Sequence, residues 1–100
     1  MNINEKVKKF LTKNNQVPLS IMSSMLDLQS EVGELSKEIL RNTDYGFSNN
    51  QEINIPKDEI GDCFYSLIML SISLDIDIEE ALDIALKKYE GNMSSKRGGF

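Results

Sequence analysis

Apolar side chains at Met25, Leu28, Val32, Leu35 and Ile39 recur in alternating steps of three and four residues. That spacing lines one face of an α-helix and is incompatible with the period of two that a strand requires. The rest of the chain reads the same way. Val7, Phe10 and Leu11 fall at helical spacing over residues 5–13, with Asn4 as the expected N-cap and Asn14 and Asn15 as the stop. Pro18 suits the first turn of the second helix, which runs to about Arg41.

Residues 42–54 are polar and include Gly46 and the run Ser48, Asn49, Asn50, Gln51, which predicts a connecting loop. Pro56 opens a third helix through about Leu74. Ile60, Cys63, Phe64, Leu67, Ile68 and Ser71 are its expected inner face, with Tyr65, Met69, Leu70 and Ile72 around the rest. A helix apolar nearly all round must be covered on more than one side, and with so few other helices the expected cover is a second subunit. Asp77 and Glu80 have capping-box spacing for a fourth helix carrying Ala81, Leu82, Ile84, Ala85 and Leu86 to an expected stop at Gly91. Strand-like alternation is absent outside the short segment 52–55. The expectation is therefore an all-α, four-helix bundle completed by oligomerisation, a single domain over residues 1–100 with a flexible basic tail at 92–100.

Composition narrows the function. The formal charge of -5 and a pI near 4.6 argue against a nucleic-acid polymer as partner, because such binders carry a surplus of Lys and Arg. The segment 63–74 is too short and too rich in serine to cross a bilayer, and the first ten residues lack the apolar core of a signal peptide, so no membrane partner is expected. A lone Cys63 inside an apolar run reads as a small core residue and fits a cytoplasmic location. The chain has no histidine, which removes Ser-His-Asp and Cys-His catalysis and any His-ligated metal. Chemistry must run on carboxylates, Lys, Arg and hydroxyls.

The carboxylates are unusually placed. Glu31 and Glu34 lie three residues apart in the second helix, and Glu59 and Asp62 repeat that spacing in the third. Neighbours at this spacing share a helix face, and each like-charged pair costs an isolated helix ~0.2–0.5 kcal/mol. Both pairs border the apolar stripe, so packing the two helices would make four carboxylates converge. A hard divalent cation with oxygen ligands turns that repulsion into binding. Neutralising these four would leave a charge of about -1, so the cluster accounts for most of the acidity. Gly33 and Gly61, each inside an acidic motif, cost a helix ~1 kcal/mol against alanine and point to close helix approach or ligand access.

The stretch Leu28-Gln29-Ser30-Glu31-Val32-Gly33-Glu34-Leu35, followed by Asp58-Glu59-Ile60-Gly61-Asp62, resembles the E-x-x-E and E-x-x-D motifs of MazG-like, all-α nucleoside triphosphate pyrophosphohydrolases. The resemblance covers nearly the whole chain. It implies Mg2+, with Mn2+ as a substitute, held by Glu31, Glu34, Glu59 and Asp62, and hydrolysis of a nucleoside triphosphate to monophosphate and pyrophosphate, and it admits house-cleaning of non-canonical nucleotides, hydrolysis of dUTP or dCTP analogues, or a broad activity towards triphosphates. It also implies that Lys88 and Asn92 contact substrate phosphates, with Lys96 and Arg97 as further basic candidates, and that the protein is a homodimer or homotetramer. Ser30 departs from the double Glu that opens the first motif in many members, and Met93, Ser94 and Ser95 separate Asn92 from Lys96 and Arg97. Glu34 is the candidate catalytic base, with Glu38 a weaker one; Phe10, Tyr45 and Phe47 are candidates to stack on a base. The competing class is a non-catalytic helical oligomeric interaction protein with an acidic, metal-binding face.

Overall fold

The computed structural model describes residues 2–47 and 53–96, with side chains through Met93. It contains four helices: α1 Ile3–Lys13, α2 Ile21–Asn42, α3 Lys57–Ser73 and α4 Ile78–Lys96. No strand occurs among the described residues.

Local capping chemistry sets most helix ends. Asn2, not Asn4, caps α1: its Oδ1 accepts from Glu5 N–H at 2.9 Å. Asn2 and Glu5 have the N-cap-to-N3 spacing of a capping box, which Asn4, followed three residues later by Val7, lacks. Helix α2 starts after Pro18, because Ser20 Oγ accepts from Ser23 N–H at 3.2 Å and so takes the cap. At the ends of α1 and α3, Asn15 and Asp75 adopt left-handed φ values of 56° and 57°. There Gln16 N–H reaches back to Leu11 O and Ile76 N–H to Ser71 O, both at 2.8 Å, closing the last turns. Gly91 does not stop α4, which continues through Lys96, so residues 92–96 belong to the helix and not to a tail. Nothing at Gly91 calls for a left-handed backbone.

The principal packing is an antiparallel pair of α2 and α3, with α1 laid against another side of α3. The inner stripe of α2 is Ser24, Leu28, Glu31, Leu35, Glu38 and Asn42, in steps of four and three. It is rotated about one position from the expected apolar stripe: Met25, Val32 and Ile39 are 45%, 48% and 42% exposed. Helix α3 answers with Glu59, Cys63, Ser66, Leu70 and Ser73, also in steps of four and three. Ser24, fully buried, lies 3.1 Å from Ser73 Oγ, and Ser73 donates to Leu19 O at 2.7 Å, so small hydroxyls fasten one end of the seam. At the other end Asn42 Oδ1 accepts from Asn54 N–H at 3.0 Å and pins the returning chain.

Among the described residues the buried apolar side chains are Leu11 of α1 and Ile68 and Met69 of α3. Of the inner face expected for α3, Ile68 and Ser71 are buried, but Ile60, Phe64 and Leu67 are at least 40% exposed. The reason is that a single chain supplies neighbours on only two sides of α3. Helix α4 meets α1 at its first turn and has no comparable contact with α2 or α3. Its Leu82, Ile84 and Leu86 are all more than half exposed. The radius of gyration, 16.9 Å, exceeds the ~13 Å of a closed 100-residue domain because of this outlying helix.

Candidate active site

The rotated stripe of α2 is what makes the acidic site. Because Ser24, Leu28 and Leu35 face α3, so do Glu31 and Glu38, and both are half-buried. Across the seam Glu59 is also half-buried. Its carboxyl sits above the usual carboxylate value of 4.5, first because burial removes water from it, then because Asp58, Asp62, Glu38 and Glu31 press on it electrostatically. Three of the four motif carboxylates, Glu31, Glu59 and Asp62, are thus brought into one electrostatic neighbourhood. Asp62 is exposed at the edge of the α3 stripe, and Glu34, one turn from Glu31, is exposed and lies off the inner stripe of α2.

Glu38 is the residue that sequence reasoning undervalued. Its spacing of seven from Glu31 returns it to the same helix face, a signal available in the sequence once the inner stripe is placed correctly. Glu38 also accepts from Arg41 at 2.9 Å, a pair on the helix surface in which Arg41 is 61% exposed, so the guanidinium adds little stability.

Cys63, half-buried on the α3 seam, is pushed up by burial and then by Glu31, Asp62 and Glu59. A thiol held protonated in this way is a poor nucleophile, which agrees with its reading as a packing residue. Gly33 and Gly61 are not sites of close approach within the chain, since a Cβ at either would meet no atom within 4 Å. Of the two reasons offered for these glycines, helix contact fails inside one chain.

The donor set fits a hard cation by chemistry: it consists of carboxylate oxygens that repel one another, with no imidazole. Among the described residues, however, no three acidic or thiol side chains are already gathered as a metal cage. The acidic groups are neighbours, not a preformed coordination shell.

The expected phosphate-binding residues stand apart from this seam. Lys88 and Asn92 lie on α4, which among the described residues has no extensive packing against α2 or α3. The ammonium of Lys88 rests 5.1 Å from the ring centre of Tyr89. Lys96 ends α4, and its side chain and all of Arg97 lie outside the described residues. Among the stacking candidates, Phe10 makes an edge-to-face contact with Tyr65 at 6.3 Å. That contact lines an apolar cleft between α1 and α3 that includes Gly61. Gly61 is two residues from Glu59, about 160° around the helix, so the cleft lies behind the acidic seam. Tyr45 and Phe47, 65% and 90% exposed, occupy the turn that follows the acidic end of α2.

No helix among the described residues is long and apolar enough to cross a membrane. Residues 19–93 match the model of the MazG nucleotide pyrophosphohydrolase domain. The chain is 32% identical over 90 residues to YpjD of Bacillus subtilis, an uncharacterised protein, covering 87% of this chain and 79% of YpjD. A crystal structure of YpjD, provisionally described as a pyrophosphatase, superposes with a TM-score of 0.68 over 87% of this chain and 88% of that one. With the paired acidic motifs on α2 and α3 inside the matched region, the chain belongs to the MazG nucleotide pyrophosphohydrolase domain family.

Proposed function

We propose that this protein hydrolyses nucleoside triphosphates to nucleoside monophosphate and pyrophosphate in a Mg2+-dependent reaction, with house-cleaning of non-canonical nucleotides as its role. The observation that carries the reading is the crowding of Glu31, Glu38 and Asp62 around Glu59. A seam that half-buries Glu31, Glu38 and Glu59 where they repel one another, with Asp62 at its exposed edge, is costly for stability alone and is explained by a cation that uses them.

Glu31, Glu34, Glu59 and Asp62 would hold the metal. Bound there, Mg2+ supplies charge neutralisation at phosphate oxygens and a coordinated water of lowered pKa, and Mn2+ can substitute. The remaining work falls to the chain. Glu34, exposed beside the seam, is the proposed base that takes a proton from the attacking water at its carboxylate. Lys88 and Asn92 hold phosphate oxygens through charge-assisted and amide hydrogen bonds, with Lys96 and Arg97 extending that grip. Tyr45 and Phe47 offer aromatic faces to a base at the acidic end of α2. A homodimer or homotetramer would cover the exposed apolar faces of α3 and α4 and bring an α4 to each acidic seam.

The test is product analysis from a panel of ordinary, deoxy and modified nucleoside triphosphates with Mg2+ in 18O-labelled water. The proposal expects pyrophosphate release with label in the monophosphate, and a loss on the order of 10²-fold or more in Glu34→Gln and Asp62→Asn. A folded oligomer that turns over nothing in the panel would favour the non-catalytic acidic binding protein instead.

A further inference from the structure

Helices α1 and α4 start at the same place and complete each other's first turns. Asn4, a polar side chain only 6% exposed, donates from Nδ2 to Ile76 O at 2.8 Å and accepts at Oδ1 from Ile78 N–H at 3.1 Å. In return Glu79 Oε1 accepts from Ile3 N–H at 2.9 Å. The first N–H groups of a helix have no partner within it, and here each helix's orphan donor is satisfied by the other helix's side chain. Asn4 is thus not the cap of its own helix but a cap of α4. Three hydrogen bonds bind the two starts, whereas the large aliphatic side chains Leu82, Ile84 and Leu86 farther along α4 are more than half exposed.

Such an arrangement makes α4 a lever. Lys88 lies ten residues and Asn92 fourteen residues beyond Ile78, or about 15 and 21 Å along the axis at 1.5 Å per residue. A change of ~10° in the angle at the clasp would move Lys88 by about 2.6 Å, and Asn92 by more. Phosphate contacts tolerate errors well under that. We propose that Asn4 and Glu79 are positioning residues: their reciprocal capping fixes the angle of α4 and so places Lys88 and Asn92 for the triphosphate. This inference rests on the phosphate-binding role proposed above for Lys88 and Asn92, and neither Asn4 nor Glu79 touches substrate.

The test uses the full chain with Cys63→Ser and spin labels at Lys9→Cys and Glu90→Cys, diluted into unlabelled protein so that only intrachain distances are read. Glu79→Ala should shift or broaden the distance distribution by several Å. Glu79→Gln, whose side-chain oxygen can still accept from Ile3 N–H, should preserve it. In enzymes with native Lys9, Cys63 and Glu90, Glu79→Ala should raise KM for triphosphate on the order of tenfold with kcat little changed, and this increase should vanish when Lys88 is already alanine. Asn4→Ala should act in the same direction, and because Asn4 is buried, the Glu79 pair decides the question where Asn4→Ala does not fold. Unchanged distances in Glu79→Ala overturn the clasp. A shifted distribution with unchanged KM, or a KM effect that persists without Lys88, overturns the positioning role. A wild-type protein without triphosphate turnover removes the underlying reaction, and the label distances then decide the clasp by themselves.

Discussion

Helix α3 and helix α4 are of similar length, 17 and 19 residues, and both carry aliphatic side chains on several faces. One is held along its length by α1 and α2, while the other is fastened at its first turn. The difference divides the proposed site. Its acidic half is assembled within one chain by the α2–α3 seam, and its phosphate-binding half is carried on a helix that the same chain does not bring to that seam. Chain-autonomous packing accounts for the first half; the second depends on the angle of α4 and on neighbours that cover it.

The most disruptive way to probe the seam is Ser24→Leu. Ser24 is fully buried against Ser73, and the added atoms would force α2 from α3 at a cost of ~1–3 kcal/mol. Thermal unfolding should register that loss, and activity should fall with it. An equal loss from Ile84→Ser, on the exposed face of α4, would contradict the division, unless dissociation of an oligomer accompanies it. On the other side of the comparison, Lys88→Ala should leave the melting temperature nearly unchanged while raising KM for triphosphate about tenfold, the effect of removing roughly 1.5 kcal/mol of charge-assisted binding. Unfolding curves and steady-state kinetics on the same preparation separate the two outcomes.

The degree to which the sequence announced each half follows the same division. Helices α2 and α3 were legible because their apolar spacing and paired carboxylates coincide, and the acidic pairs need no partner to be noticed. Two features within them were obscured. Only Leu28 and Leu35 of the aliphatic residues of α2 lie on its innermost stripe, which they share with Ser24, Glu31 and Glu38, so a purely apolar criterion that adds Met25, Val32 and Ile39 rotates the helix and underrates Glu38. The burial expected for Ile60, Phe64 and Leu67 presumed neighbours that one chain does not provide. At the start of α1 the Asn2–Glu5 spacing favours Asn2 as the cap, but the sequence alone does not reveal that Asn4 is used by a helix more than seventy residues away. Gly91 resembles a helix stop by residue type alone, but termination there would also need a reversal of the backbone that this position does not make.

Smaller effects sharpen the picture. Gly33→Ala introduces a methyl group into open space and should stabilise the isolated chain by up to ~1 kcal/mol through helix propensity. Destabilisation in a concentration-dependent melt would instead mark Gly33 as a contact between copies. The pH dependence carries a definite sign. Because Glu59 has a raised pKa, the folded state keeps its proton longer than the unfolded state, so this group's contribution is largest at low pH. Metal-free stability should decline as pH rises from the ordinary value of 4.5 through the raised one and then level off. Mg2+ should lessen that decline, as it favours the ionised form.

If the repelling carboxylates of the seam exist to hold a catalytic divalent cation, neutralising one of them must trade metal binding for metal-free stability. Thermal unfolding of wild type and Glu59→Gln, each with and without Mg2+ and with pyrophosphate release assayed alongside, tests it most directly. Glu59→Gln should be more stable than wild type without metal, lose most of the Mg2+-induced rise in melting temperature, and lose turnover. A variant that keeps both its Mg2+ stabilisation and its turnover would contradict it.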